Sequence, residues 1–183
     1  MEQRKLGVVI PALNEELALG PVLSELSLAL SDVTLASSLV LVVDNGSTDR
    51  TAEVAGAGGA TVVFEPRRGY GQACLAGLAR LREAGFGAGD LVLFLDADHS
   101  DYPADLALVL APLLADEADF VIGSSVLGGA TMGALLPQAW FGNRLACFLM
   151  WLFFGARHSD LGPFRALEWG ALEHLSMADT NFG

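Results

Sequence analysis

The 183-residue chain predicts one α/β domain: a mostly parallel, Rossmann-like sheet flanked by helices. Two observations carry that expectation. Short β-rich apolar runs alternate with longer segments whose apolar residues recur every three or four positions. The runs are also continuously apolar rather than alternating, as in strands covered on both faces. Alternation of this kind builds a doubly wound sheet whose ligand crevice lies beyond the carboxyl ends of the strands.

The expected strands are Leu6–Ile10, Leu39–Val43, Thr61–Phe64, Leu91–Leu95 and Phe120–Ile122. The expected crossover helices are Leu17–Leu30, Thr48–Ala57, Gln72–Glu83 and Pro103–Leu114. Residues 1–124 form the repeating half. From 125 to 183 the pattern changes to a glycine-rich stretch, Gly128–Gly133, then a bulky apolar helix from Trp140 to Phe154, then Asp160-Leu-Gly-Pro-Phe-Arg165. This second half reads as an elaboration of the same domain.

Composition narrows the function classes. Residues are 52% hydrophobic and 17% charged, enough apolar material for a full core and too little charge for a disordered chain. Twenty-two acidic side chains against ten basic ones give a net charge of −12, which repels a phosphate backbone and argues against a nucleic-acid partner. An anionic ligand therefore needs a local device: a helix N-terminus, an arginine or a metal ion. Cys74 and Cys147 show no paired spacing, which fits a reducing compartment. The polar start, Met1 to Lys5, has no signal-peptide pattern, and the greasy run Leu145–Phe154 is too short to span a bilayer. The expected location is cytoplasmic, and the surplus aromatics of that run suit the cytoplasmic face of a membrane.

Each of the first four expected strands opens into a polar loop at its carboxyl end. Asp96-Ala-Asp98 follows the fourth strand, so two carboxylates emerge together, and such a pair repels unless a cation joins it. Mg²⁺ or Mn²⁺ is the natural guest, because hard cations take carboxylate and diphosphate oxygens together. Asp101 is a candidate cap for the helix at Pro103. In Asp44-Asn-Gly-Ser-Thr-Asp49, Ser47 or Thr48 is expected to cap a helix, leaving Asp44 to accept a hydrogen bond from a nucleobase. Asn14 and Glu15, after Pro11 and Ala12, suit either a helix cap or a ribose. Arg67-Arg68-Gly69 places two guanidinium forks before a helix N-terminus, a phosphate-holding arrangement. His99, His158 and His174 lack the i, i+4 pairing of a zinc helix, so no zinc site is expected. Asp160 and Arg165 bracket a Gly-Pro bend, as a salt bridge or as functional groups.

Together, Val9-Ile-Pro-Ala-Leu-Asn-Glu-Glu16, Val42 to Thr51, Gly69-Tyr-Gly71, Leu95-Asp-Ala-Asp98 and Asp160 to Arg165 resemble the family 2 glycosyltransferases of the GT-A fold. Within that family they are most similar to the dolichyl-phosphate mannose synthase-like and polyprenyl-phosphate glycosyltransferase-like enzymes. The resemblance implies inverting transfer of a sugar from a nucleotide-diphosphate donor, a UDP- or GDP-sugar, to a polyprenyl or dolichyl phosphate at a membrane surface. Matched by position, Pro11, Ala12, Asn14, Glu15 and Asp44 would line the nucleoside pocket, with Arg68 and Gly69 beside it. Asp96, Ala97 and Asp98 would meet the diphosphate, the two aspartates holding Mg²⁺ or Mn²⁺. Asp160 and Arg165 would stand at the reacting centre and the acceptor or leaving phosphate. Gly142-Asn143 would belong to a membrane-facing acceptor element.

The pattern departs in three places. Ser125 stands where relatives often carry arginine, and Ser100 where many carry glutamine. The chain stops at Asp179-Thr-Asn-Phe-Gly183 where relatives continue with a tryptophan, a nearby glutamate and a further helix, so a longer catalytic domain is expected. Transfer to a soluble hydroxyl acceptor, and nucleotide-sugar binding without turnover, are the alternative readings. Nucleotidyl transfer is disfavoured because the first loop lacks a glycine-rich basic signature.

Overall fold

β1 (Lys5–Ala12) and β4 (Leu91–Phe94) are almost wholly buried because they lie side by side at the sheet's centre, as their unbroken apolar sequences anticipate. The computed structural model describes residues 3–123 and 164–175. Among these, β2 (Ser37–Asp44), β3 (Thr61–Phe64), β5 (Phe120–Ile122) and β6 (Arg165–Glu168) complete a six-stranded sheet of order β3-β2-β1-β4-β6-β5. β1 runs parallel to β2 and β4, and β2 to β3, whereas β6 is antiparallel to both β4 and β5.

Helices α1 (Leu19–Ser31), α2 (Thr51–Ala57), α3 (Tyr70–Glu83) and α4 (Leu106–Leu114), the last preceded by a 3₁₀ turn at Pro103–Asp105, supply the crossovers. A short α5 (Trp169–Leu175) follows β6. One core joins Leu6, Val8, Ile10, Leu93 and Leu95 to Leu19, Val22 and Leu26 of α1 and Leu106, Val109 and Leu110 of α4. The opposite face joins Val9, Leu41, Val43 and Val92 to Ala73, Leu78 and Leu81 of α3 and to Trp169. The helices thus lie on both faces, as in a doubly wound sheet. α3 sits very close to the sheet, because a Cβ at Gly77 would fall 2.5 Å from Val9 Cγ1.

Five expectations change. β3 and β5 are edge strands, β3 mostly exposed and β5 with Phe120 exposed and Val121 and Ile122 half-buried, so their apolar sequences do not mark burial on both faces. β6, which begins at Arg165 where the expected Asp160–Arg165 bend ends, is a strand that local periodicity does not announce. Ser47 and Thr48 do not cap α2, which begins at Thr51; Asp49 Oδ1 instead accepts the Thr51 N–H at 2.9 Å. Asp101 does not cap the 3₁₀ turn either, for its Oδ2 accepts the Asp96 N–H at 3.1 Å. No side chain of Asn14 or Glu15 caps α1; the Glu15 carbonyl accepts the Ala18 and Leu19 N–H groups. The expected glycine-rich stretch, the aromatic helix with Gly142-Asn143, and Asp160 lie outside the described residues.

Candidate active site

The parallel strands β1, β2, β3 and β4 end at one edge, and their loops meet there. β1 and β2 are in register with Pro11 opposite Val43 and Ala12 opposite Asp44, so the two strands end level at that edge. Asp44 is 7% exposed, and its Oδ1 accepts the Ser47 N–H at 2.9 Å, which fixes one carboxylate oxygen in the turn. The first two loops are laced together. Asn14 Oδ1 accepts from the Thr48 N–H at 2.8 Å, the Asn14 N–H donates to Ser47 Oγ at 3.0 Å, and the Glu15 N–H donates to Thr51 Oγ1 at 2.8 Å. The side-chain oxygen of Asn14 therefore braces the second loop.

Asn45 is a residue whose role local pattern does not reveal. It is buried, its Nδ2 donates to the carbonyls of Glu65 and Arg67 at 2.9 and 2.7 Å, and its Oδ1 accepts the Gly69 N–H at 2.8 Å. One amide thereby fastens the β3–α3 loop to the end of β2. Gly69 has φ +135°, a conformation that side-chain-bearing residues seldom adopt, and this lets the chain turn sharply into α3. The expected pair of guanidinium forks reduces to one. Arg67 donates Nε and Nη2 to the Glu65 carboxylate at 2.8 and 2.7 Å, and this neighbour together with the Arg67 N–H pulls the Glu65 pKa down to about 2. Arg68 is exposed and meets the Gly46 carbonyl at 3.5 Å.

At the tip of β4, Ala97 turns its side chain into the core while Asp96 and Asp98 emerge, as alternation demands. Ala97 consequently offers only its backbone. Asp96 Oδ1 accepts from the Tyr70 hydroxyl at 3.2 Å, and Asp98 Oδ1 accepts the Ser100 N–H at 2.9 Å. Burial, and then the Asp98 charge, raise the Asp96 pKa against the lowering effects of Tyr70 and Arg165. Burial lifts Asp101 to about 6, with the charges of Asp96 and Asp98 adding to it. Glu15 is raised by burial and then by Asp98, Asp49 and Asp96, which brings the first loop into the field of the fourth.

Because β6 runs against β4, its first residue stands at the same edge where β4 ends: Arg165 is the register partner of Phe94 and Ile122. Its charge opposes the raised pKa values of Asp96, Asp101, Tyr70 and Cys74. Arg165 is thus drawn into the acidic cluster from far along the chain. His99 stays outside it, its Nε2 3.0 Å from Glu25 Oε1 of α1, and the His174 Nδ1 is 2.7 Å from the Gly170 carbonyl.

The donor set suits a hard divalent cation in one respect. Two carboxylates from one loop, each with an oxygen not engaged by the bonds above, repel one another and Glu15. Among the described residues no group of three or more His, Cys, Asp or Glu converges on a metal position. Two carboxylates with the rest of the coordination shell left to phosphate and water is the usual way Mg²⁺ is bound beside a diphosphate.

A doubly wound sheet with its polar loops gathered at one edge, and a carboxylate pair ending a central strand, is the arrangement of the GT-A fold. The chain belongs to glycosyl transferase family 2, whose family model matches residues 7–157. It is 33% identical over 156 residues to the low-salt glycan biosynthesis hexosyltransferase Agl6 of Haloferax volcanii, covering 85% of this chain and 36% of that protein. It is 35% identical over 150 residues to the dolichyl-phosphate hexose transferase of the same organism, covering 79% of this chain and 59% of the relative. Among solved structures it resembles glucosyl-3-phosphoglycerate synthase from Mycobacterium tuberculosis in complex with Mn²⁺, UDP-glucose and phosphoglyceric acid. The TM-score is 0.69 at 28% identity, over 92% of this chain and 58% of the other. No helix among the described residues is long and apolar enough to cross a membrane.

Proposed function

We propose that the protein is an inverting, divalent-metal-dependent glycosyltransferase that moves a sugar from a UDP- or GDP-sugar to a polyprenyl phosphate at the cytoplasmic face of a membrane. The observation that carries this reading is the pair Asp96 and Asp98 at the tip of β4, in the electrostatic reach of Glu15 and Arg165. Support for the donor comes from the neighbour crystallised with Mn²⁺ and UDP-glucose. Support for the acceptor comes from the dolichyl-phosphate hexose transferase relative.

In this reading Pro11, Ala12, Asn14 and Glu15 border the nucleoside, and Asp44 accepts a hydrogen bond from the base. Arg68 and the backbone of Gly69 flank the nucleotide, and the Ala97 backbone faces the diphosphate. Asp96 and Asp98 would hold Mg²⁺ or Mn²⁺, which when bound offsets the charge that develops on the leaving diphosphate. Arg165 faces the acceptor phosphate or the departing diphosphate, where a guanidinium forms paired hydrogen bonds to oxygens. Asp160 is assigned to the neighbourhood of the reacting centre.

A lipid phosphate brings an oxygen that is already anionic near neutral pH, so the attack needs no strong general base. A hydroxyl acceptor would need one, with Asp160 or Asp179 as candidates. The phosphoglycerate ligand of the structural neighbour keeps this second reading open. The test is an assay with radiolabelled UDP- and GDP-sugars, the full protein and Mn²⁺, offering polyprenyl phosphate in vesicles beside soluble hydroxyl acceptors. Label moving into the lipid fraction supports the proposal; label moving only into a soluble acceptor transfers it to the second reading. Donor binding without sugar release to either leaves a binding domain.

A further inference from the structure

Tyr70 is the first residue of α3 and carries none of the roles above, yet its hydroxyl is directed at Asp96, 26 positions away, with Oη 3.2 Å from Oδ1. The two residues belong to different crossover units, and their meeting depends on the start of α3 being held against the end of β2. That hold is the Asn45 amide: its Oδ1 takes the Gly69 N–H at 2.8 Å while its Nδ2 ties down the Glu65 and Arg67 carbonyls. The amide lies next in sequence to Asp44 and is buried, so the tether is rigid. The Asp96 N–H is taken by Asp101 Oδ2 at 3.1 Å. Backbone and side chain of Asp96 are therefore each held by a separate partner, and the bond to Tyr70 engages Oδ1 while leaving Oδ2 outside it.

We infer that Tyr70 is a positioning residue, one that aims the Asp96 carboxylate at the cation through its hydroxyl and is itself set in place by Asn45 through Gly69. The inference rests on the metal-binding reading of Asp96 and adds to it a partner one layer removed. Its physical basis is the general dependence of ligating carboxylates on hydrogen bonds that fix their orientation. A separation of 3.2 Å is longer than the usual O–H···O bond. Hydrogen bonds at functional sites commonly tighten once the ligand is present. The Asn45 link joins the loop bearing Asp44 to the β3–α3 loop, and the Tyr70 hydroxyl continues that connection to Asp96, so that the two ends of a bound nucleotide diphosphate would meet one connected framework.

The variant Tyr70→Phe removes only the hydroxyl, from a residue 44% exposed, and the ring remains to pack as before. Three quantities are measured on the full protein: Mn²⁺ affinity in the presence of UDP or GDP, followed by the electron paramagnetic resonance signal of free Mn²⁺; UDP and GDP affinity in EDTA; and the thermal midpoint. The expected pattern is Mn²⁺ affinity weaker by about tenfold, the lower end for loss of such a partner, with the other two unchanged. Mn²⁺ affinity within twofold of the parent overturns the inference. So does an equal weakening of nucleotide binding in EDTA, which would make Tyr70 a general packing residue. If the parent binds Mn²⁺ and Asp98→Ala loses it while Tyr70→Phe does not, the inference alone fails; a parent that binds no Mn²⁺ with either nucleotide removes the metal reading as well.

Discussion

Glu65 shows at the residue scale how a charge can be structural although its sequence surroundings look functional. It precedes the two arginines of the phosphate-holding pattern, is 5% exposed, and its carboxylate accepts from Nε, Nη2 and the backbone N–H of Arg67. Its pKa in the folded chain, about 2, lies below the ordinary value of 4.5, so its contribution to stability is present above about pH 4.5 and is lost as pH falls toward 2. Glu65→Gln should lower stability by about 1 kcal/mol at pH 7, since Arg67 is solvent-facing and screening weakens the pair. Urea unfolding at pH 7 and at pH 2.5 checks this: the gap between parent and variant should shrink markedly at the lower pH. A gap constant across that range would contradict it. The sequence shows the carboxylates Asp44, Asp96 and Asp98 because each ends an apolar run. It hides Asn45 and Tyr70, whose significance lies in what they touch across 24 and 26 positions.

For whole elements, what is legible is what local pattern decides. The five expected strands and the four expected crossover helices form among the described residues, with ends displaced by a few residues where a carbonyl or carboxylate replaces the anticipated cap. β6 escapes because four residues carry no period, and what makes Arg165–Glu168 a strand is pairing with Leu91–Phe94 and Phe120–Ile122. Its antiparallel direction matters for the site, since a parallel β6 would put Arg165 at the far edge. α3 bears on the site through its closeness to the sheet. Gly77→Ala would place a methyl 2.5 Å from the short, branched Val9 side chain and should destabilise by about 1–3 kcal/mol. Gly56→Ala, in α2 with nothing within 4 Å of the new carbon, should stabilise by about 0.5–1 kcal/mol through helix propensity. Thermal or urea unfolding of the two variants should move in opposite directions; equal shifts would mean that helix propensity, not contact with Val9, governs both.

Across the molecule, a net charge of −12 and a crevice bordered by Glu15, Asp96, Asp98 and Asp101 oppose a ligand that is itself a polyanion. Arg68 and Arg165 alone do not reverse that field, so the account requires a cation between protein and diphosphate. Composition and the Asp96-Ala-Asp98 spacing already point toward such a cation, which stands as part of the proposed function. The acceptor side, by contrast, draws on residues 124–163, beyond what the described structure positions. The most direct test is calorimetric titration of UDP and GDP into the protein with Mn²⁺ and then with EDTA, repeated for Asp98→Ala with its thermal midpoint recorded. Binding that is at least about tenfold tighter with Mn²⁺, and an advantage abolished in a folded Asp98→Ala, is the predicted result. Equal affinity with and without Mn²⁺, or an undiminished Mn²⁺ advantage in Asp98→Ala, would contradict it.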